Sequence, residues 1–137
     1  QDAVNDYLRR FNAGFRLGNV APVNNRGGSA ANYNVLINNI AVGLNAAEGP
    51  CFRTALSAGD RNTLALAFFF ATLERDQALA QKIVVIDDPM SSLDEHRTLH
   101  TVQEIHRLAG AVGQVIVLSH SKPFILNVWE KCGALPR

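Results

Sequence analysis

The sequence predicts an α/β domain with a parallel sheet core, flanking helices and a β-rich N-terminal part. Three observations carry that reading. Residues 83–86 (Ile-Val-Val-Ile) and 115–118 (Val-Ile-Val-Leu) are short, wholly apolar, mostly β-branched runs, the pattern of strands buried on both faces. A helical pattern lies between them, and a strand–helix–strand unit pairs its strands in parallel with a right-handed crossover. Ahead of them, residues 15–20 and 33–44 alternate and are β-branched, as strands with one buried face are.

Taken in order, residues 2–11 place Val4, Leu8 and Phe11 at helical spacing, with Asp2 as the candidate cap. Residues 24–29, Asn-Asn-Arg-Gly-Gly-Ser, read as a turn. Their glycines do not make a phosphate loop, because no GK[ST] follows and no buried strand precedes them. Residues 46–52 form a loop. Leu56-Ser57-Ala58-Gly59-Asp60 then opens a long helix to about residue 76, whose interior, 64–71, is apolar nearly all round and predicted to be buried in the middle of the domain. Ser92 with Glu95 three residues on matches a capping box and starts a helix to about residue 108, which Gly110 and Gly113 end. Pro123 suits the first turn of a closing helix that runs to about residue 131.

The bulk numbers fit one domain. The 137 residues are 47% hydrophobic and 18% charged, with a formal net charge of +1, which gives no support for a strong nucleic-acid or membrane field. Cys51 and Cys132 stand apart without metal-ligand spacing, which favours a reduced, cytoplasmic setting. No apolar run reaches membrane length, so no membrane partner is expected. The chain opens on Gln1 rather than Met, as a fragment or processed product would.

The first strand ends in Asp87-Asp88-Pro89 and the second in Ser119-His120. Parallel strands finish on the same edge of their sheet, so Asp87, Asp88 and His120 are expected to converge on one crevice, where open α/β sheets bind ligands. The bland alternative is a pair of solvated loop aspartates capping the next helix. His96 and His100 are spaced i,i+4 and could chelate a metal, but a solvated helix face is the ordinary reading.

Four stretches, in one order, resemble the ABC-type ATPases. IVVIDDP looks like a Walker B motif, SSLD like the D-loop behind it, VIVLSH like the switch-histidine strand, and LSAGD like a variant of the LSGGQ signature. The likeness is greatest to members with a long coiled-coil insertion: the chromosome-maintenance, DNA-repair and anticodon-nuclease-associated AAA group. It is specific from about residue 52 to residue 124. It implies the C-terminal lobe of a P-loop NTPase (ABC-type) head over residues 1–137. Residues 1–52 would be helix plus strands, and residues 53–137 the signature helix, Walker B, D-loop and switch-histidine region.

The resemblance also implies roles. Asp87 would hold Mg²⁺ through water. Asp88 stands where many members carry the glutamate that orients attacking water, and His120 would sense the γ-phosphate. Ser57 and Gly59, at a helix start, would face ATP held by an opposite subunit, with Ser92 and Asp94 contributing from the D-loop. Ser57 with Asp60 is equally a capping box, which accounts for both residues without any ligand. Asp60 departs from LSGGQ by adding a negative charge near a nucleotide, unless Arg61 or the cap absorbs it. No GxxxxGK[ST] occurs, so the chain alone is expected to be inactive and to need an N-terminal half carrying the P-loop. The implied function is ATP binding and hydrolysis by a homodimer of heads that drives a coiled coil, a nucleic acid or a nuclease effector. The rival is an ATP-gated dimerisation module with little hydrolysis. A metal-dependent nuclease built on Asp87 and Asp88 is a weaker third reading, since no further carboxylate cluster supports it.

Overall fold

In the computed structural model, which describes residues 1–25, 28–42, 51–90 and 94–133, a helix and an antiparallel sheet precede a parallel strand–helix–strand unit. The N-terminal part is α1 (Asp2–Arg10), β1 (Phe15–Asn25), β2 (Gly28–Ile37) and β3 (Ile40–Val42). A single turn, α2 (Phe52–Ala55), leads into α3 (Ala58–Glu74), and β4 (Ile83–Asp87), α4 (Glu95–Ala109), β5 (Gln114–Leu118) and α5 (Lys122–Cys132) complete the chain.

Helix α1 is capped one residue earlier than expected. Gln1 occupies the N-cap position without a side-chain cap bond, and Asp2 is the first helical residue, where its charge meets the positive end of the helix dipole. Asn5 fixes the helix to the sheet from both sides of one residue: its amide donates to the Leu17 carbonyl at 2.9 Å and its carbonyl accepts from the Leu17 N–H at 2.8 Å. Strands β1 and β2 pair antiparallel up to Asn25 and Gly28, with an irregularity between Gly18 and Ala21. The predicted turn centres on residues 26–27, outside the described residues. The run 33–44 is two strands rather than one. Asn38 and Asn39 take φ of 50° and 64°, and Ile37 pairs with Ile40, so a two-residue hairpin turn interrupts it. Both central residues are left-handed, as in a type I′ turn, and asparagine tolerates that conformation better than most residues. Residues 43–50, which take in the end of that run and most of the loop expected over 46–52, lie outside the described residues.

Helix α3 packs on α1 through aromatic contacts. Phe70 stands 5.7 Å from Tyr7 and 6.2 Å from Phe11, ring centre to ring centre. Leu64, Ala67, Phe70 and Ala71 are buried, whereas Leu66, Phe68 and Phe69 are half-buried and Ala65 is exposed. The expected all-round burial therefore holds on one side only.

The parallel unit forms as predicted, with Ile83 to Asp87 registered against Gln114 to Leu118. Gly113 makes the return possible. Its N–H donates to the Lys82 carbonyl at 3.1 Å, and a Cβ there would sit 3.0 Å from the Ala80 carbonyl. The strands are not buried on both faces, however. Val84 and Ile86 enter the core, while Ile83 is 62% and Val85 54% exposed, and Ile116 and Leu118 are exposed beside them. The helices of this chain cover one face of a two-stranded sheet, and the other face stays apolar and open. Helix α4 also differs at its start. Asp94, not Ser92, is the N-cap, its carboxylate accepting from the Arg97 N–H at 2.8 Å. Ser92 lies outside the described residues. Pro123 sits in the first turn of α5, which packs against α4.

Phe11 is fully buried between α1 and α3, so Phe11→Ala is expected to cost about 3–5 kcal/mol of stability. Denaturant unfolding measures this, and a loss below about 1 kcal/mol would mean that the two helices do not share one core.

Candidate functional site

The carboxyl edge of the parallel sheet gathers the first group of residues. Asp87 is the last residue of β4, opposite Leu118 on β5, and is exposed. Asp88 leaves the strand with φ at 45°, a left-handed backbone that non-glycine residues seldom adopt. Three contacts hold it there. Its N–H donates to the Leu118 carbonyl at 2.8 Å. Its Oδ1 accepts from the Ser119 hydroxyl at 3.0 Å, and its Oδ2 lies 2.9 Å from Nδ1 of His120. The Ser119 Oγ in turn accepts from the Ser121 N–H at 3.1 Å, which fixes the loop that carries the histidine.

Convergence of Asp88 and His120, separated by more than thirty residues, is what the parallel crossover demands. An ionised carboxylate can only accept, so the ring nitrogen beside it must carry a proton. That leaves Nε2 of a side chain 77% exposed to meet a second partner. Next to these residues a groove of about 380 Å³ runs between the strand end and α3, lined by Asn62, Leu66, Phe69, Val85, Asp87 and Asp88.

The second group lies at the starts of two helices. Ser57 caps α3 in a complete capping box: its hydroxyl accepts from the Asp60 N–H at 3.0 Å, and the Asp60 carboxylate accepts from the Ser57 N–H at 3.2 Å. The Ser57 hydroxyl also donates to Asp60 Oδ2 at 2.7 Å. Gly59 is buried in the first turn. The other carboxylate oxygen of Asp60 accepts from Nη2 of Arg97, on α4, at 2.8 Å. Arg97 also pairs with Asp94 at 3.4 Å, so one guanidinium joins the start of α3 to the start of α4. Arg61 reaches back to the Leu56 carbonyl at 2.7 Å, and the charge that meets Asp60 comes from α4 instead. Burial alone would raise the Asp60 carboxyl, but hydrogen bonds from Ser57 and Arg97, with the Arg97 charge, hold it below the usual carboxylate range.

The structure thus brings Asp87, Asp88 and His120 to one edge and links Ser57, Gly59 and Asp94 at another. Helix α3 joins the two places, carrying Ser57 at its start and Asn62, Leu66 and Phe69 along the groove. Ser119 and Arg97 were not singled out by sequence reasoning. Ser119 was visible as the neighbour of His120, but nothing periodic signals an ion pair spanning 37 positions. The rings of His96 and His100 lie 4.5 Å apart. Among the described residues no group of three or more His, Cys, Asp or Glu side chains could hold a metal ion. Among them, too, no helix is long and apolar enough to cross a membrane.

A carboxyl held below its unfolded value stabilises the fold above about pH 4, and that contribution fades as pH falls through the folded value. Asp60→Asn is therefore expected to be less stable than the unsubstituted protein at pH 7, with the difference shrinking below about pH 4. Thermal unfolding at both pH values checks this, and a difference independent of pH would contradict it.

Comparison with known proteins now bears on the arrangement. No curated protein sequence matches the chain. Among solved structures, the crystal structure of an SmcHead bound to the C-winged helix domain of ScpA matches with a TM-score of 0.61 over 92% of this chain, at 17% sequence identity. The chain spans about a third of that protein's length, 36%. The likeness is one of fold: the α/β architecture here matches part of that SmcHead. The family model described as AAA domain (AAA_13) matches residues 4–133, nearly the whole sequence, and the chain belongs to that family of AAA domains.

Proposed function

We propose that the chain supplies the signature and Walker B half of an ATPase head that hydrolyses ATP within a nucleotide-sandwiched dimer. The observation that carries this reading is the pair Asp88–His120, 2.9 Å apart at the carboxyl edge of a parallel sheet. Phosphoryl transfer needs little covalent chemistry from a protein and much positioning. A carboxylate that orients an imidazole, beside a second carboxylate, is equipment for that task.

Asp87 is a hard oxygen donor at an exposed strand end, the type of ligand Mg²⁺ takes singly alongside phosphate oxygens and water. When bound, ATP with Mg²⁺ supplies the phosphoryl group and its countercharge. The remaining roles belong to the chain. Asp88 orients water and accepts its proton, and His120, when both ring nitrogens carry protons, donates from Nδ1 to Asp88 and from Nε2 to a phosphate oxygen. Ser57 and Gly59 present the start of α3, with its unpaired N–H groups and positive dipole end, to ATP on the opposing head. Ser92 and Asp94 belong to the D-loop at that junction.

The open sheet face supports an N-terminal half bearing the P-loop. Parallel sheets are covered on both faces, yet Ile83, Val85, Ile116 and Leu118 are bare here. Helix α1 is where a coiled coil would enter, and its contacts with α3 suit a head that moves such an arm or an effector in nucleic-acid maintenance, repair or defence. A cytoplasmic setting belongs to this reading, because Cys51 and Cys132 stand far apart in sequence without metal-ligand spacing, as suits a reducing compartment.

A second reading, ATP as dimer glue with little hydrolysis, draws on the same carboxylate. Asp88 is a short acid whose two oxygens are both engaged, by Ser119 and His120. Single-turnover hydrolysis by the intact protein separates the two. Asp88→Asn is expected to retain ATP binding and slow the chemical step on the order of a hundredfold, while Asp87→Ala loses Mg²⁺-dependent binding or turnover. An unchanged rate in Asp88→Asn would leave the glue reading standing.

Sharing between heads is tested at Ser57. Ser57→Ala is expected to cost about 1 kcal/mol as a lost cap. Ser57→Arg is expected to leave each head folded and ATP-binding while abolishing ATP-dependent dimerisation, measured by sedimentation. Dimerisation at the unsubstituted ATP concentration would exclude a phosphate at this helix start.

A further inference from the structure

We infer that Arg97 is a positioning residue that makes an acidic signature compatible with a bound phosphate. The inference rests on the reading of Ser57 as a phosphate contact across the dimer. It deepens that reading by naming the group that controls Ser57. Three observations meet at this point. The Ser57 hydroxyl proton is given to Asp60 Oδ2 at 2.7 Å, so it is not available to another acceptor while that bond lasts. Asp60 brings a full negative charge into the first turn of the helix that would face the polyphosphate. Arg97 answers that charge on Oδ1 at 2.8 Å, and its side chain, only 15% exposed, reaches Asp94 as well.

The chemistry follows from donor and acceptor counts. For Ser57 to donate to a phosphate oxygen, its hydroxyl must rotate away from Asp60 while still accepting from the Asp60 N–H. The carboxylate then loses one hydrogen bond, but it remains paired with Arg97 and with the Ser57 N–H. Without the guanidinium, the carboxylate would keep the Ser57 proton and repel the phosphate by like charge. Asp94 sits on the same arginine, so the D-loop and the signature helix are set by one cation rather than two.

The test uses the full-length protein with its P-loop half. The readouts are the ATP concentration for half-maximal dimerisation and the nucleotide affinity of the single head, at about 50 and about 300 mM salt, between which the screening length shortens about 2.4-fold. Arg97→Gln is expected to raise the dimerisation midpoint about tenfold at low salt and to leave single-head affinity unchanged. The ratio to the unsubstituted protein is expected to shrink at high salt, which a purely structural ion pair would not produce. Adding Asp60→Asn is expected to restore the midpoint, because no charge then needs an answer.

Should Arg97→Gln not fold, Arg97→Lys carries the test. It keeps the charge, and a midpoint near that of the unsubstituted protein at both salts is expected. A severe, salt-independent defect in Arg97→Lys would overturn the inference. If Arg97→Gln dimerises normally while Ser57→Arg does not, the inference falls and the shared-site reading stands. If Ser57→Arg also dimerises normally, both fall.

Discussion

The parallel ladder between β4 and β5 is the constraint from which the rest takes its place. Five residue pairs from Ile83–Gln114 to Asp87–Leu118 set the strands in register, and the same register puts Asp88 N–H on the Leu118 carbonyl. The ladder thereby decides that a carboxylate and an imidazole from distant parts of the chain share one edge. A slip of one residue would turn Val84 and Ile86 outward and swing Asp87 to the core side, because side chains alternate along a strand. Burial of the inner face and placement of the polar edge are thus a single choice.

Around that ladder the helices act as struts with defined joints. Helix α1 is tied to β1 by Asn5, to α3 by Tyr7 and Phe11 against Phe70, and to α4 by Arg10, which reaches the buried Glu104 at 3.4 Å. Arg107 meets the same carboxylate at 3.1 Å, so the buried charge has two cationic partners. Helix α4 therefore contacts α1 near its far end and carries Asp94 and Arg97 at its start.

Much of this was legible in the sequence, for reasons that can be named. The apolar runs at 83–86 and 115–118 with a helix between them admit one common topology, and strand-end polar residues follow from it. The capping box at Ser57 was legible because the bonds are local, three residues apart. Where several local solutions compete, the sequence was less informative. Both Ser92 and Asp94 are good caps, and the carboxylate of Asp94 holds the position. The Asn38-Asn39 turn hid inside an alternating run, since the pattern continues on both sides of it. The open sheet face was beyond reach for a different reason: a wholly apolar strand states that both faces prefer burial, not which chain supplies the cover. Arg97 was out of reach because its partner is close only after folding.

The left-handed backbone at Asp88 links side-chain length to strand geometry. Aspartate and asparagine are several times more common than other non-glycine residues in that conformation, because a short polar side chain can bond locally while the backbone turns. The Leu118 and Ser119 contacts use this property to redirect the chain within one residue of the ladder's end. A glutamate in the same place would carry a longer acid on a backbone it adopts less readily. The shorter carboxylate is then the residue suited to this turn, and its reach is extended by bringing histidine to it. Exchange of acid length at position 88 would accordingly be a change of backbone path as much as of chemistry, with the loop through Ser121 obliged to move in step.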